Sequence, residues 1–161
     1  MRIKNLEVIT LVEDTVYKRK YIAEHGLSML FRINDGDFNI LADVGQSGKV
    51  LLHNMKVAKI SWREIDAIFL SHSHDDHTGG LVEILRFIKD KPIYTHKGVF
   101  DEKYKKRNGK FLYSGVPQRE KVIKNLKKLK FNRSSIEIYP NVITSGEMER
   151  VVKFEIESLK R

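Results

Sequence analysis

The sequence predicts an α/β fold, and three observations predict it. The run Ala67-Ile68-Phe69-Leu70 is short, apolar and unbroken, the pattern of a strand buried on both faces. Leu27 to Ile33 and Phe38 to Ala42 are apolar runs flanking Asn34-Asp35-Gly36-Asp37, and Gly, Asn and Asp tolerate the positive φ that a hairpin turn demands. In the second half of the chain strand alternates with helix, which argues for a layered α/β arrangement.

Each element follows from its local pattern. Ile3 to Val12 is rich in β-branched and apolar residues and reads as the first strand. A loop from about Glu13 to Gly26 leads into the hairpin. Ser47 to Val57 places Val50, Leu51, Met55 and Ala58 at helical spacing behind Ser47, a residue suited to the N-cap. Ser61-Trp62-Arg63-Glu64 looks like a capped turn. After the buried strand, Thr78 is expected to cap a helix with Leu81, Ile84, Leu85 and Ile88 on one face, and Pro92 to Thr95 forms the next strand. Lys97 to Gly115, rich in Gly and Lys, is expected to loop over the surface. Gln118 to Lys130 reads as an amphipathic helix with Val122, Leu126 and Leu129 inward and Lys121, Lys124, Lys127 and Lys128 elsewhere on its surface. Ile136 to Tyr139, Asn141 to Thr144 and Val151 to Ile156 are short candidate strands.

The 161 residues suit a single domain, 1–161, with a hydrophobic core. Hydrophobic residues at 41% and charged residues at 32% describe a globular chain rather than a disordered one. No apolar run approaches the roughly 20 residues of a spanning helix, so no membrane partner is expected and the cytoplasm is the default location. The absence of cysteine excludes disulfides and thiolate metal sites, so any metal must be held by nitrogen and oxygen. A formal charge of +9 favours anionic partners, such as a phosphorylated small molecule, against the plainer reading of a solvated lysine-rich surface.

Chemistry concentrates in Phe69-Leu70-Ser71-His72-Ser73-His74-Asp75-Asp76-His77-Thr78-Gly79-Gly80-Leu81, which packs three of the six histidines into six positions. Neutral imidazole is the commonest metal ligand, and a carboxylate adds the hard oxygen that zinc, iron or manganese accepts. Placing these groups where a buried strand gives way to a helix fixes them at one end of the sheet, where α/β folds put their chemistry. Two residues apart in an extended segment, His72 and His74 can point to the same side. Asp76 and His77 follow as the chain turns.

His72-x-His74-x-Asp76-His77, with its apolar strand before and Gly79-Gly80 after, resembles the H-x-H-x-D-H motif of the metallo-β-lactamase superfamily. Ala23-Glu24-His25-Gly26-Leu27-Ser28, Leu41-Ala42-Asp43-Val44-Gly45 and Pro92-Ile93-Tyr94-Thr95-His96 are similar to its dihydropterin ribofuranosyl-aminobenzene phosphate synthase-like branch. Gly146-Glu147 to Arg150, followed by Phe154-Glu155, looks like a further segment of that branch, with Met148 and Glu149 in place of Ile-Pro. The resemblance implies half of an αββα sandwich: one mixed sheet with flanking helices, the second sheet missing or supplied by a partner or a second copy. It also implies a two-metal hydrolase centre, zinc with iron or manganese as alternatives. His72 and His74 would hold one ion, Asp76 and His77 the other, with Asp76 also the expected catalytic residue.

Family members continue past this point and supply a further histidine for each metal plus a bridging ligand, whereas no histidine follows His96 here. Three readings stay open: completion by a complementary chain carrying the missing half, self-association into a homo-oligomer, or a residual module that has lost the reaction. Self-association is the favoured one, because a half-sandwich leaves apolar sheet uncovered. A noncatalytic interaction module is the competing function, and nucleic-acid binding through the lysine-rich helix is a third. Among the other candidates, His25 is either a supporting group near the cleft or a loop histidine bonded to backbone. His96 is a strand-end histidine that could substitute as a ligand but matches a structural histidine of the family. His53 is a surface or packing residue. Asp43 matches a family aspartate that buttresses the metal loop.

Overall fold

A computed structural model describes residues 2–148. Its centre is a six-stranded mixed sheet. Strands β1 (Leu6–Val12), β2 (Ser28–Ile33) and β3 (Phe38–Ala42) form an antiparallel meander. Strand β4 (Ala67–Phe69) and β5 (Ile93–Thr95) continue the sheet in parallel from β3. The hairpin expected at Asn34 to Asp37 is present: Asn34 and Asp35 both take positive φ, and a single 3-10 turn joins β2 to β3.

Register explains the core. Leu30 faces Leu41, Leu41 faces Ile68, and Ile68 faces Ile93, so one row of side chains crosses four strands. All four are 0% exposed. Each such side chain contributes about 1.5–3 kcal/mol by leaving water. Helix α1 (Gly48–Val57) covers this face with Leu51 and Met55, and α3 (Leu81–Ile88) with Leu81, Ile84, Leu85 and Ile88. Ser47 caps α1 as expected, its Oγ accepting from the Val50 N–H at 3.4 Å, and Ser61 with Glu64 forms a full capping box. The opposite face carries a second, smaller cluster of Ile33, Ile40 and Ala67, against which Phe31, Phe69 and Tyr94 pack. There Leu6 and Val8 remain exposed.

Three expectations are corrected. Thr78 does not cap α3. It ends a short helix α2 (Asp75–Thr78), its hydroxyl donates to the Ser73 and His74 carbonyls, and Gly80 stands at the head of α3. The 97–115 segment is not simply a loop. It contains a hairpin of β6 (Tyr104–Arg107) and β7 (Lys110–Tyr113), turned by Asn108 and Gly109 at φ 50 and 76. The expected helix from Gln118 to Lys130 stops early: α4 (Arg119–Asn125) ends, and Leu129 enters strand β8 (Leu129–Phe131), which pairs in parallel with β5.

Beyond this edge, the expected short strands appear as a hairpin of β9 (Glu137–Tyr139) and β10 (Val142–Ile143). Ile138, Tyr139 and Val142 pack on the second cluster, and the Tyr139 ring stacks on Phe38 at 4.6 Å. The strand expected at Val151 to Ile156, and the Arg150 to Glu155 part of the family resemblance, lie outside the described residues. Among the described residues no helix is long and apolar enough to cross a membrane.

Candidate metal centre

Parallel strands β3 and β4 end side by side, and their next residues build the site. The Asp43 N–H donates to the Phe69 carbonyl at 2.8 Å, so the aspartate begins where the buried strand ends. Asp43 takes φ 55, a conformation that Asp accepts more readily than most residues, and its side chain turns toward the Ser71-His72 segment. From there the backbone stays extended through His74, then turns into α2. His72, His74 and Asp76 come together there in one donor set, and His72 and His77 with Asp43 in another.

Asp43 organises the group. Buried at 3% exposure, its carboxylate accepts from the Ser71 N–H at 2.8 Å, the Ser71 hydroxyl at 2.6 Å and the His77 Nδ1 at 2.7 Å. With Nδ1 committed, His77 keeps the lone pair on Nε2, which lies 3.6 Å from Asp76 Oδ2. The Ser71 hydroxyl, having donated to Asp43, accepts from His72 Nδ1 at 2.9 Å. This leaves the lone pair of His72 on Nε2, 3.2 Å from His74 Nδ1. Burial, then the neighbouring His77 and His74, lowers the His72 pKa below its ordinary 6.5 against the opposing pull of Asp43 and Asp76, so the ring is held neutral.

The donors fit a metal ion. Two nitrogens bound to one tetrahedral zinc at about 2.0–2.1 Å stand about 3.3 Å apart, close to the His72–His74 separation. His72, His74 and Asp76 offer donor atoms within 4.8 Å of one another, and Asp43, His72 and His77 form a second such set. In that second set Asp43 orients rather than ligates, because the oxygen nearest His77 already accepts two hydrogen bonds. A carboxylate holding the far nitrogen of a ligating histidine is the usual support of such sites.

Residues 22–157 match the model of the metallo-beta-lactamase superfamily. The chain belongs to that superfamily. It is 32% identical to a 7,8-dihydropterin-6-methyl-4-(beta-D-ribofuranosyl)-aminobenzene-5'-phosphate synthase of Methanocaldococcus jannaschii, over 97% of this chain and 55% of that protein. An uncharacterized protein of the same organism is 32% identical over 93% of this chain and 56% of its own length. The chain therefore spans about half the length of the curated relatives it matches. Among solved structures, a putative metallo-beta-lactamase of Thermotoga maritima superposes with a TM-score of 0.48 at 19% identity, over 82% of this chain and 62% of that one.

Within this superfamily frame the remaining candidates separate. Asp43 has the buttressing place expected of it. His53 Nε2 meets the Lys20 carbonyl at 2.6 Å, away from the motif, as a surface residue would. His96 does not join the donor sets: its Nδ1 accepts from the Gly98 N–H at 3.1 Å, and its Nε2 faces Glu147 at 3.4 Å. Of the two places open to His25, the structure gives the one near the cleft: its ring meets carboxylates rather than backbone, Asp14 at 3.1 Å and Asp76 at 3.5 Å. Sequence reasoning left Asp14 and Ser71 out of the site. Ser71 carried a signal, its place directly before the motif; Asp14 carried none, because only the folded loop brings it near.

Glycine permits the close packing behind the motif. A Cβ on Gly79 would strike the Gln46 and Asp75 carbonyls, and one on Gly26, at φ 134, would strike the Asp76 carbonyl. Those contacts let the 43–46 segment and the 24–27 loop press against α2 from two sides.

Proposed function

We propose that this chain carries the metal-holding part of a two-metal hydrolase. His72 and His74 would hold one ion and Asp76 and His77 the other, and Asp76, within reach of both pairs, would be the catalytic residue. Zinc is the favoured ion, with iron or manganese suited to the same nitrogen and oxygen donors. The observation that supports this most is the convergence of His72, His74 and Asp76, whose donor atoms lie within 4.8 Å of one another.

When bound, the ions supply Lewis acidity and lower the pKa of water toward neutrality. The chain's own residues do the rest. Asp43 fixes the His77 tautomer, and Ser71 fixes that of His72. The substrate class we favour is an anionic, phosphorylated small molecule. The charge of +9 suits it, as does the phosphate in the relative's name.

Metal analysis after dialysis against zinc tests the reading. Bound zinc in the wild type, lost in His72→Ala and His77→Ala, is the expected result. A folded wild-type chain that takes up no zinc, cobalt or manganese refutes it.

A second reading, a noncatalytic interaction module, draws on Leu6 and Val8, 54% and 48% exposed on the less covered sheet face. A second copy of the chain is the occupant we favour for that face, because like apolar strips are self-complementary. Light scattering reads the mass. A dimer whose melting temperature ignores both zinc and His72→Ala supports the module, and a monomer at all concentrations removes the second copy.

A further inference from the structure

The ion proposed for Asp76 and His77 has two donors from the motif, and a loop far away in sequence brings a third histidine to within 3.5 Å of Asp76. We propose that His25 is a ligand of that ion, oriented by Asp14 as Asp43 orients His77. The inference rests on the metal-centre reading above and extends it to residues that the motif does not include.

The geometry of the two histidines is parallel. His77 offers Nδ1 to Asp43 at 2.7 Å and points Nε2 at Asp76 Oδ2 from 3.6 Å. His25 offers Nδ1 to Asp14 at 3.1 Å and points Nε2 at the same Asp76 oxygen from 3.5 Å. Each histidine thus turns one ring nitrogen to a carboxylate outside the motif and the other to the same Asp76 oxygen, the arrangement in which a carboxylate orients a ligating imidazole. Donors about 2.0–2.2 Å from a shared ion stand roughly 3–3.5 Å apart.

The loop that carries His25 is anchored for such a task. The Glu24 carboxylate accepts from the Ser47 N–H at 2.7 Å and the Ser47 hydroxyl at 2.5 Å, tying it to the head of α1. The Leu27 N–H donates to the Asp76 carbonyl at 3.1 Å, and Gly26 passes where any side chain would strike that same carbonyl. His25 thus sits between two points fixed to α1 and α2. Its side chain is nevertheless 71% exposed, so core packing does not explain its placement. Among the described residues it is not part of the compact donor sets, and ligation would require its ring to turn toward His77 about its own side-chain torsions.

Cobalt titration of the full chain, read by ion count and visible absorption, tests this. The wild type is expected to take up two ions. His25→Ala should weaken the second ion at least about 10-fold and shift its absorption, leaving the His72–His74 ion unchanged; Asp14→Asn should weaken the same ion by about 10-fold, the low end for loss of a supporting carboxylate. His53→Ala, at a histidine remote from the motif, should change neither. Far-UV dichroism checks folding, and Asp14→Asn, which preserves side-chain size, decides the matter should His25→Ala unfold. Cobalt affinity within about 2-fold of wild type in His25→Ala and Asp14→Asn, whether one ion binds or two, overturns the role of His25 and leaves the motif centre standing. A wild type that binds no cobalt overturns both.

Discussion

The two faces of the central sheet are built from strands of the same composition yet meet opposite surroundings. On one, Leu30, Leu41, Ile68 and Ile93 form an unbroken row under α1 and α3, all at 0% exposure. On the other, the β9–β10 hairpin covers Ile33, Ile40 and Ala67, and the outer strand leaves Leu6 and Val8 54% and 48% exposed. Stability is concentrated on the helix-covered face. The candidate metal centre sits at neither: it occupies the rim where the strands end, held by polar contacts rather than by apolar packing. That separation lets the site carry closely spaced donors without weakening the core row.

Truncations across the sheet test this contrast, and the largest effect belongs to the helix face. Ile68→Ala should destabilise by about 2–5 kcal/mol, since a central side chain with neighbours on both strands leaves a cavity that cannot collapse. Denaturant unfolding measures it, and a loss below about 1 kcal/mol would break the contrast. At the rim, Asp43→Asn should cost about 1–3 kcal/mol, because a buried carboxylate that accepts from two Ser71 groups and from His77 cannot be replaced by an amide without an unmet partner. The same variant should weaken zinc binding by about 10–100-fold through the freed His77 ring.

On the exposed face, Val8→Thr should change monomer stability by less than about 0.5 kcal/mol, and a larger loss would show that this face is already covered in solution. The smallest expected effect is one of pH. The folded His72 pKa lies below its unfolded value, so the unfolded chain binds the extra proton first as pH falls. The metal-free protein should keep its full stability above pH about 6.5 and lose some of it between there and the lower folded pKa. His72→Gln should flatten that slope, and an unchanged slope would assign it to another group.

Legibility followed the range of the interactions. The strand–turn–helix of Ala67 to Ile88 and the hairpin at Asn34 to Asp37 were readable because short periodicities and turn residues specify them. Leu129 was misread for the same reason. Its spacing from Val122 and Leu126 fits a helix, but pairing with Ile93 at the sheet edge outweighs that local preference. The β6–β7 hairpin had a signal in Asn108-Gly109, hidden because its exposed, lysine-rich strands bury nothing that would show as alternation.

By itself the sequence singled out the candidate ligands, His72, His74, Asp76 and His77, and the buried strand that presents them. Residue type and spacing carry that much, since an extended segment and a tight turn leave few ways to arrange adjacent side chains. Only the tertiary structure decided how those donors are oriented and what else reaches them. Asp43 meets His77, Asp14 meets His25 and His25 meets Asp76, because parallel strand pairing and a loop pinned between two helices bring together groups that no local pattern connects.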